Sequence, residues 1–198
     1  MGLEKQMQTK VELQGRAAQV SWKGAVSLNR AERAVADWAM VDDHQAVLDA
    51  NCERNHLLRH YLERYRLRAC GLCLDTYQAQ QMRSSLSSAE IMYSTGNEIP
   101  WRDESFDRVL MTHALPNYVD MKTFLQEIRR VLKPGGCLVM ALPALPWRRA
   151  IAAFFAGAQA GRTALQPLMS QLEEQGFSDV SCRRTRIDQL CVVARIGP

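Results

Sequence analysis

From residue 46 onward, short apolar runs alternate with amphipathic stretches of ten or so residues, and this alternation constrains the fold more than any other feature. Ala46-Val47-Leu48, Ala69 to Leu74, Glu90 to Tyr93, Phe106 to Met111 and Cys137 to Leu142 read as strands. Asn55 to Tyr65, Thr76 to Leu86 and Met121 to Leu132 read as helices between them. A further helix over Leu28 to Met40 puts Leu28, Ala31, Val35 and Trp38 on one face. In Met121 to Leu132 the residues Phe124, Leu125, Ile128 and Leu132 recur at steps of three or four, and Lys133-Pro134-Gly135-Gly136 then stops the helix. Strands alternating with helices of this length imply βαβ units and a largely parallel sheet. The end of the chain departs from the pattern: after a helix over Leu165 to Glu174, Val180 to Arg184 and Gln189 to Arg195 are spaced for an antiparallel hairpin.

The 198 residues suffice for one domain over 25–198, with 1–24 a polar extension that reads as partly disordered or as a loosely docked helix. A formal charge of +4 is too small to argue for nucleic acid, and Arg183, Arg184 and Arg186 read as a solvated strand edge. Met1 to Val11 lacks the apolar core of a signal peptide, and Ala150 to Ala160 is about half a membrane span. The expectation is a cytoplasmic protein, with no membrane partner, whose six cysteines are reduced thiols. Cys70 and Cys73 lie three apart on one predicted strand and therefore point to opposite faces, so they do not chelate one ion; no metal is expected.

Two segments are specific in combination. Ile99-Pro100-Trp101-Arg102-Asp103-Glu104-Ser105-Phe106-Asp107 and Glu127-Ile128-Arg129-Arg130-Val131-Leu132-Lys133-Pro134-Gly135-Gly136-Cys137-Leu138 resemble the approach to the fourth strand and the helix-to-fifth-strand signature of class I S-adenosylmethionine-dependent methyltransferases of the small-molecule kind. Glu173 to Phe177 and the closing hairpin resemble that family's C-terminal end, so the resemblance covers roughly Asn29 to Ile196. It implies an α/β, Rossmann-like seven-stranded sheet, six strands parallel and one antiparallel, with helices on both faces. Ligands in such sheets bind at the carboxyl ends of the strands. S-adenosylmethionine is the cofactor the resemblance implies.

Three positions at those ends depart from the family pattern. After the first strand the family has an acidic residue followed by glycines at alternate positions; here stands Asp49-Ala50-Asn51-Cys52-Glu53-Arg54-Asn55. Asn51 and Asn55 are expected to keep the turn through positive φ while filling its clearance, and Glu53 adds an anion near the cofactor's own carboxylate. At the end of the second strand Cys73 replaces the carboxylate that would hold the ribose hydroxyls, with Asp75 a substitute only if the register slips. Before Pro100, Ser94-Thr95-Gly96 stands where the family has Gly-Asp-Ala, so Thr95, whose hydroxyl can still accept, replaces the acidic partner of the adenine amino group. Each lost hydrogen-bonding group costs on the order of 1 kcal/mol, and up to ~3 when charged. Together with steric blockage, this weakens a micromolar ligand by several tenfold steps.

His113, after the fourth strand, is the candidate general base; a histidine merely hydrogen-bonded in the crevice is the plainer reading. Cys52 and Cys73 fall at neighbouring strand ends, where buried thiols acting as small hydrophobes are the simpler account. The segment Pro143 to Arg162, with Trp147, Phe154 and Phe155, either caps the crevice, presents a partner surface or packs on the sheet. Three functions follow: a small-molecule methyltransferase with a divergent site, a catalytically silent relative that binds a protein partner or itself as a homodimer, or a module for another small ligand.

Overall fold

The first described helix, α1 (Arg30–Ala39), begins at a reciprocal cap. The Asn29 side chain accepts from the Glu32 backbone N–H at 2.9 Å, and the Glu32 carboxylate accepts from the Asn29 N–H at 2.6 Å. This computed structural model describes residues 27–112, 119–142, 166–185 and 190–197. The readings placed on 1–24, on His113 and on Pro143 to Arg162 lie outside the described residues.

After α1 come β1 (Ala46–Asp49), α2 (His56–Leu62), β2 (Arg68–Cys73), α3 (Thr76–Ser85), β3 (Glu90–Tyr93) and β4 (Phe106–Met111). They are followed by α4 (Met121–Val131), β5 (Leu132–Leu142), α5 (Gln166–Glu174), β6 (Asp179–Arg184) and β7 (Leu190–Arg195). The seven strands form one sheet in the order β3-β2-β1-β4-β5-β7-β6. Every pairing from β3 to β5 is parallel, and β7 runs antiparallel to both β5 and β6. That is the expected arrangement of six parallel strands and one reversed, closed by the expected hairpin.

Helices cover both faces. Phe124, Leu125, Ile128 and Val131 of α4, with Leu168 and Leu172 of α5, pack on Leu48, Cys70, Leu72, Val109, Leu138 and Met140. On the other face Ala34, Val35 and Ala39 of α1, with Leu57 and Tyr61 of α2, meet Val47, Leu110 and Val139. Leu58 of α2, with Ala79 and Met82 of α3, packs there on Cys52, Ala69, Cys73 and Ile91. Alternation along β2 thus sends Cys70 and Cys73 into opposite layers.

The two sequence segments that carried the resemblance grip each other. Arg130 donates to both carboxylate oxygens of Glu127 (2.8 and 2.7 Å), to the carbonyls of Trp101 and Ile99, and to Asp103 at 2.8 Å. Lys133 pairs with Asp107 at 2.8 Å, and the same Asp107 oxygen accepts from the Ala46 N–H at 2.8 Å. The strand after α4 starts earlier than the expected Cys137. Leu132 already pairs with Phe106, and the register then shifts so that Cys137 faces Arg108. Lys133 to Gly136 therefore form an excursion within the strand, and Gly135 turns it at φ 72°.

Candidate functional site

Parallel order brings the carboxyl ends of β1, β2, β3 and β4 to one rim. The chain leaving β1 stays tied to both neighbours: the Ala50 N–H donates to the Leu110 carbonyl and the Cys52 N–H to the Leu72 carbonyl, each at 2.8 Å. This seats Asp49, Asn51 and Cys52 inward, with exposures of 2%, 2% and 0%. Glu53 projects to solvent and does not fill the crevice.

The turn is not held by left-handed asparagines, contrary to expectation. Among the described non-glycine residues positive φ occurs at Met40, His44 and Glu104, and at none of Asn51, Glu53 or Asn55. The N–H donations of Ala50 and Cys52 to β4 and β2 hold the start of the turn, and the Glu53 N–H closes back on the Asn51 carbonyl at 2.9 Å, so the chain turns without a left-handed step at these residues. The helix that follows also starts later and ends sooner than expected. Asn55 precedes it in an αR conformation with no side-chain cap bond, and α2 closes at Leu62 as the Arg64 and Tyr65 N–H groups both turn back to the Tyr61 carbonyl.

At the end of β2, Cys73 is fully buried and its Sγ donates to the Cys52 carbonyl at 3.2 Å. Asp75 does not take its place: its carboxylate accepts from the Gln78 N–H at 2.9 Å and caps α3, which fixes the register with Cys73 at the strand end. Cys52 rests over Gly71 of β2; a Cβ built there would stand 3.0 Å from the Cys52 Sγ and 2.8 Å from Ile91 Cδ1. The Cys52 Sγ donates to the Arg54 carbonyl at 3.7 Å, and the Cys52, Cys73 and Asp49 side chains lie close enough to shift one another's ionisation. That proximity holds the Cys73 thiol below its ordinary range and, with burial, pushes Cys52 well above it.

Burial pushes the Asp49 carboxyl up to about 7, against the Asn51 N–H and the Cys52 thiol, which favour its charge, and with Glu32 and Glu53 adding to the rise. One Asp49 carboxylate oxygen, Oδ1, has no hydrogen-bond partner. Glu32 was not singled out from sequence, yet it is buried to 1% exposure and its carboxylate lies 3.9 Å from His56 Nδ1. The signal was present in the Asn29-x-x-Glu32 spacing of a capping box. On the β3 side Thr95 is exposed, whereas Gly96 is buried at φ 91° with Val119 so close that a Cβ would approach it to 2.8 Å. Asp49, Asn51, Cys52 and Cys73 thus gather in one cluster, and Glu53, Thr95 and Gly96 do not join it. Among the described residues no group of three or more His, Cys, Asp or Glu is arranged to hold a metal, and no helix is long and apolar enough to cross a membrane.

An open, mostly parallel sheet with helices on both faces defines a Rossmann-like type of α/β protein. Within that type, residues 48–140 match the family described as the methyltransferase domain. Over that stretch, just under half of its length, the chain resembles the class I S-adenosylmethionine-dependent methyltransferases. Demethylmenaquinone methyltransferase of Listeria welshimeri is 36% identical over 76 residues, 36% of this chain; that match spans only 32% of the relative's length. Among solved structures, a chain from the complex between the Haloferax volcanii Trm112 methyltransferase activator and a methyltransferase superposes with a TM-score of 0.70. It shows 17% identity over 85% of this chain and 89% of that one. Phosphoethanolamine N-methyltransferase 2 of Haemonchus contortus, in complex with S-adenosyl-L-methionine, gives 0.64 at 12% identity, over 84% of this chain and 52% of that one. At these identities the structural likeness speaks to the fold.

Proposed function

We propose that this chain is a methyltransferase-family protein whose crevice no longer holds S-adenosylmethionine in the family manner, and that it works without methyl transfer, by binding a protein partner or another small ligand in the cytoplasm. The observation that carries this reading is Cys73. By the resemblance it stands where a carboxylate would take two ribose hydroxyls, yet it is a buried thiol turned onto the Cys52 carbonyl. A thiol offers neither the charge nor the two acceptor oxygens of a carboxylate. Asn51 adds a buried side chain where the family turn has a glycine, and Asp49 remains as an acid whose burial favours its neutral form. Isothermal titration of the full chain with S-adenosylmethionine and S-adenosylhomocysteine tests the proposal. Dissociation constants weaker than about 1 mM are expected; submillimolar binding to either would overturn it.

Two similarities favour narrower versions. The activator complex among the structural neighbours supports a protein partner, which pull-down and size-exclusion chromatography would detect as a hetero-complex or a homodimer. The similarity to demethylmenaquinone methyltransferases supports an active enzyme on a small aromatic acceptor, with His113 as general base. In that case labelled S-adenosylmethionine would transfer its methyl group to such an acceptor, and His113→Ala would abolish the transfer.

A further inference from the structure

The Cys52–Cys73 contact has a chemistry of its own. We infer that these two residues are a modification site, a thiol pair that a peroxide converts to an intramolecular disulfide joining the turn after β1 to the end of β2. The chain places them together by strand order, since the Cys52 N–H bonds the carbonyl of Leu72, the residue before Cys73. Gly71, lacking a side chain, leaves the space in which the Cys52 sulfur sits. The Cys73 sulfur already lies 3.2 Å from the Cys52 carbonyl oxygen, to which it donates, and the two side chains shift each other's ionisation. Three other cysteines make their sulfur contacts elsewhere: Cys70 with Glu90 in the opposite layer, Cys137 with the Leu138 carbonyl and Cys191 with the Ala34 carbonyl.

The neighbours divide the labour. The Cys52 side chain beside it holds the Cys73 thiol below its ordinary range and so favours the Cys73 thiolate, the nucleophilic form. The thiolate attacks one oxygen of hydrogen peroxide; the O–O bond breaks, hydroxide leaves with the proton that Cys73 gave up, and Cys73 becomes a sulfenic acid. Cys52 then attacks the sulfenic sulfur, the S–O bond breaks, and the Cys52 proton leaves with the departing hydroxide as water. The buried Asp49 carboxyl, close enough to Cys52 to shift its ionisation, is placed to relay that proton. The balance is two thiols and one peroxide giving one disulfide and two waters. Both sulfurs are buried, so oxidation proceeds at the rate at which the rim opens to a water-sized oxidant.

The test uses the full-length, fully reduced chain treated with stoichiometric hydrogen peroxide. Intact-mass measurement should show loss of two hydrogen atoms, and a non-reducing digest should yield a Cys52–Cys73 linked peptide that dithiothreitol cleaves. Cys70→Ser should leave the crosslink unchanged, and Cys52→Ser should divert Cys73 to higher oxygen adducts. Linkage of other pairs, a sulfinic acid on Cys73 in the unaltered chain, or two thiols that stay titratable while a free dithiol in the same tube is oxidised would each overturn the inference. None of these readouts involves S-adenosylmethionine, so the outcome stands apart from the question of cofactor binding.

Discussion

Gly71 shows what a single missing side chain does at the rim. Its backbone lies under both Cys52 and Ile91, and a methyl group there would meet Ile91 Cδ1 at 2.8 Å and the Cys52 sulfur at 3.0 Å. Both neighbours are themselves buried in the layer formed by α2 and α3, so neither can swing away cheaply. Gly71→Ala is expected to destabilise the fold by about 1–3 kcal/mol, the usual range for overpacking, read as a lower urea midpoint at unchanged slope. It should also push Cys52 off Cys73 and slow peroxide crosslinking. At Gly96 a different cause acts: φ of 91° and the closeness of Val119 both penalise a side chain, so Gly96→Ala is expected to be at least as costly.

At the scale of elements, the Arg130 clamp binds the loop before β4 to α4. Its guanidinium reaches two carboxylates and two carbonyls, and Glu127 in turn accepts from the Ile99 N–H at 2.8 Å. Arg130→Lys keeps the charge but loses the planar fork. Because the pair is about a third exposed at the arginine, a loss of ~1–2 kcal/mol is expected, measured by thermal or urea unfolding, with protease cutting near 99–103 as the local readout. These elements were legible in the sequence because strand runs and 3.6-residue periodicity are local signals. The start of β5 was not: Lys133-Pro134-Gly135-Gly136 reads as a stop, and only lateral pairing with Phe106 shows that the strand begins before it. The site was legible in the same uneven way. Cys73 could be placed by counting along β2, and Asp75 as a helix cap confirms that count. The backbone of Asn51 and Asn55 could not be read, because residue preference for positive φ says nothing of where neighbouring strands hold the turn. Nor could the contact of Cys52 with Cys73, which depends on the pairing of two strands rather than on spacing along one.

For the whole molecule, two buried groups set opposing pH dependences. Asp49 is raised to about 7, so its contribution is fully present below its unfolded value of 3.8 and is lost as pH climbs toward 7. His60 is lowered to about 4 by burial, with Arg64 adding to the effect, so its contribution is fully present above 6.5 and is lost as pH falls toward 4. Between roughly pH 4 and 6.5 the slopes run against each other, and the unaltered chain should show a shallow stability profile. Asp49→Asn should expose a stability that rises with pH across this window, and His60→Gln one that falls. Urea midpoints taken across the range check both signs.

The Arg130 and Lys133 fastenings also separate two kinds of work within one sheet. They join β1, β4, β5, α4 and the loop before β4 without recruiting Asp49, Asn51, Cys52 or Cys73. The polar fastenings of the framework therefore do not depend on the side chains at the strand ends. In a chain built this way, the chemistry at the mouth and the architecture beneath it rest on different polar contacts.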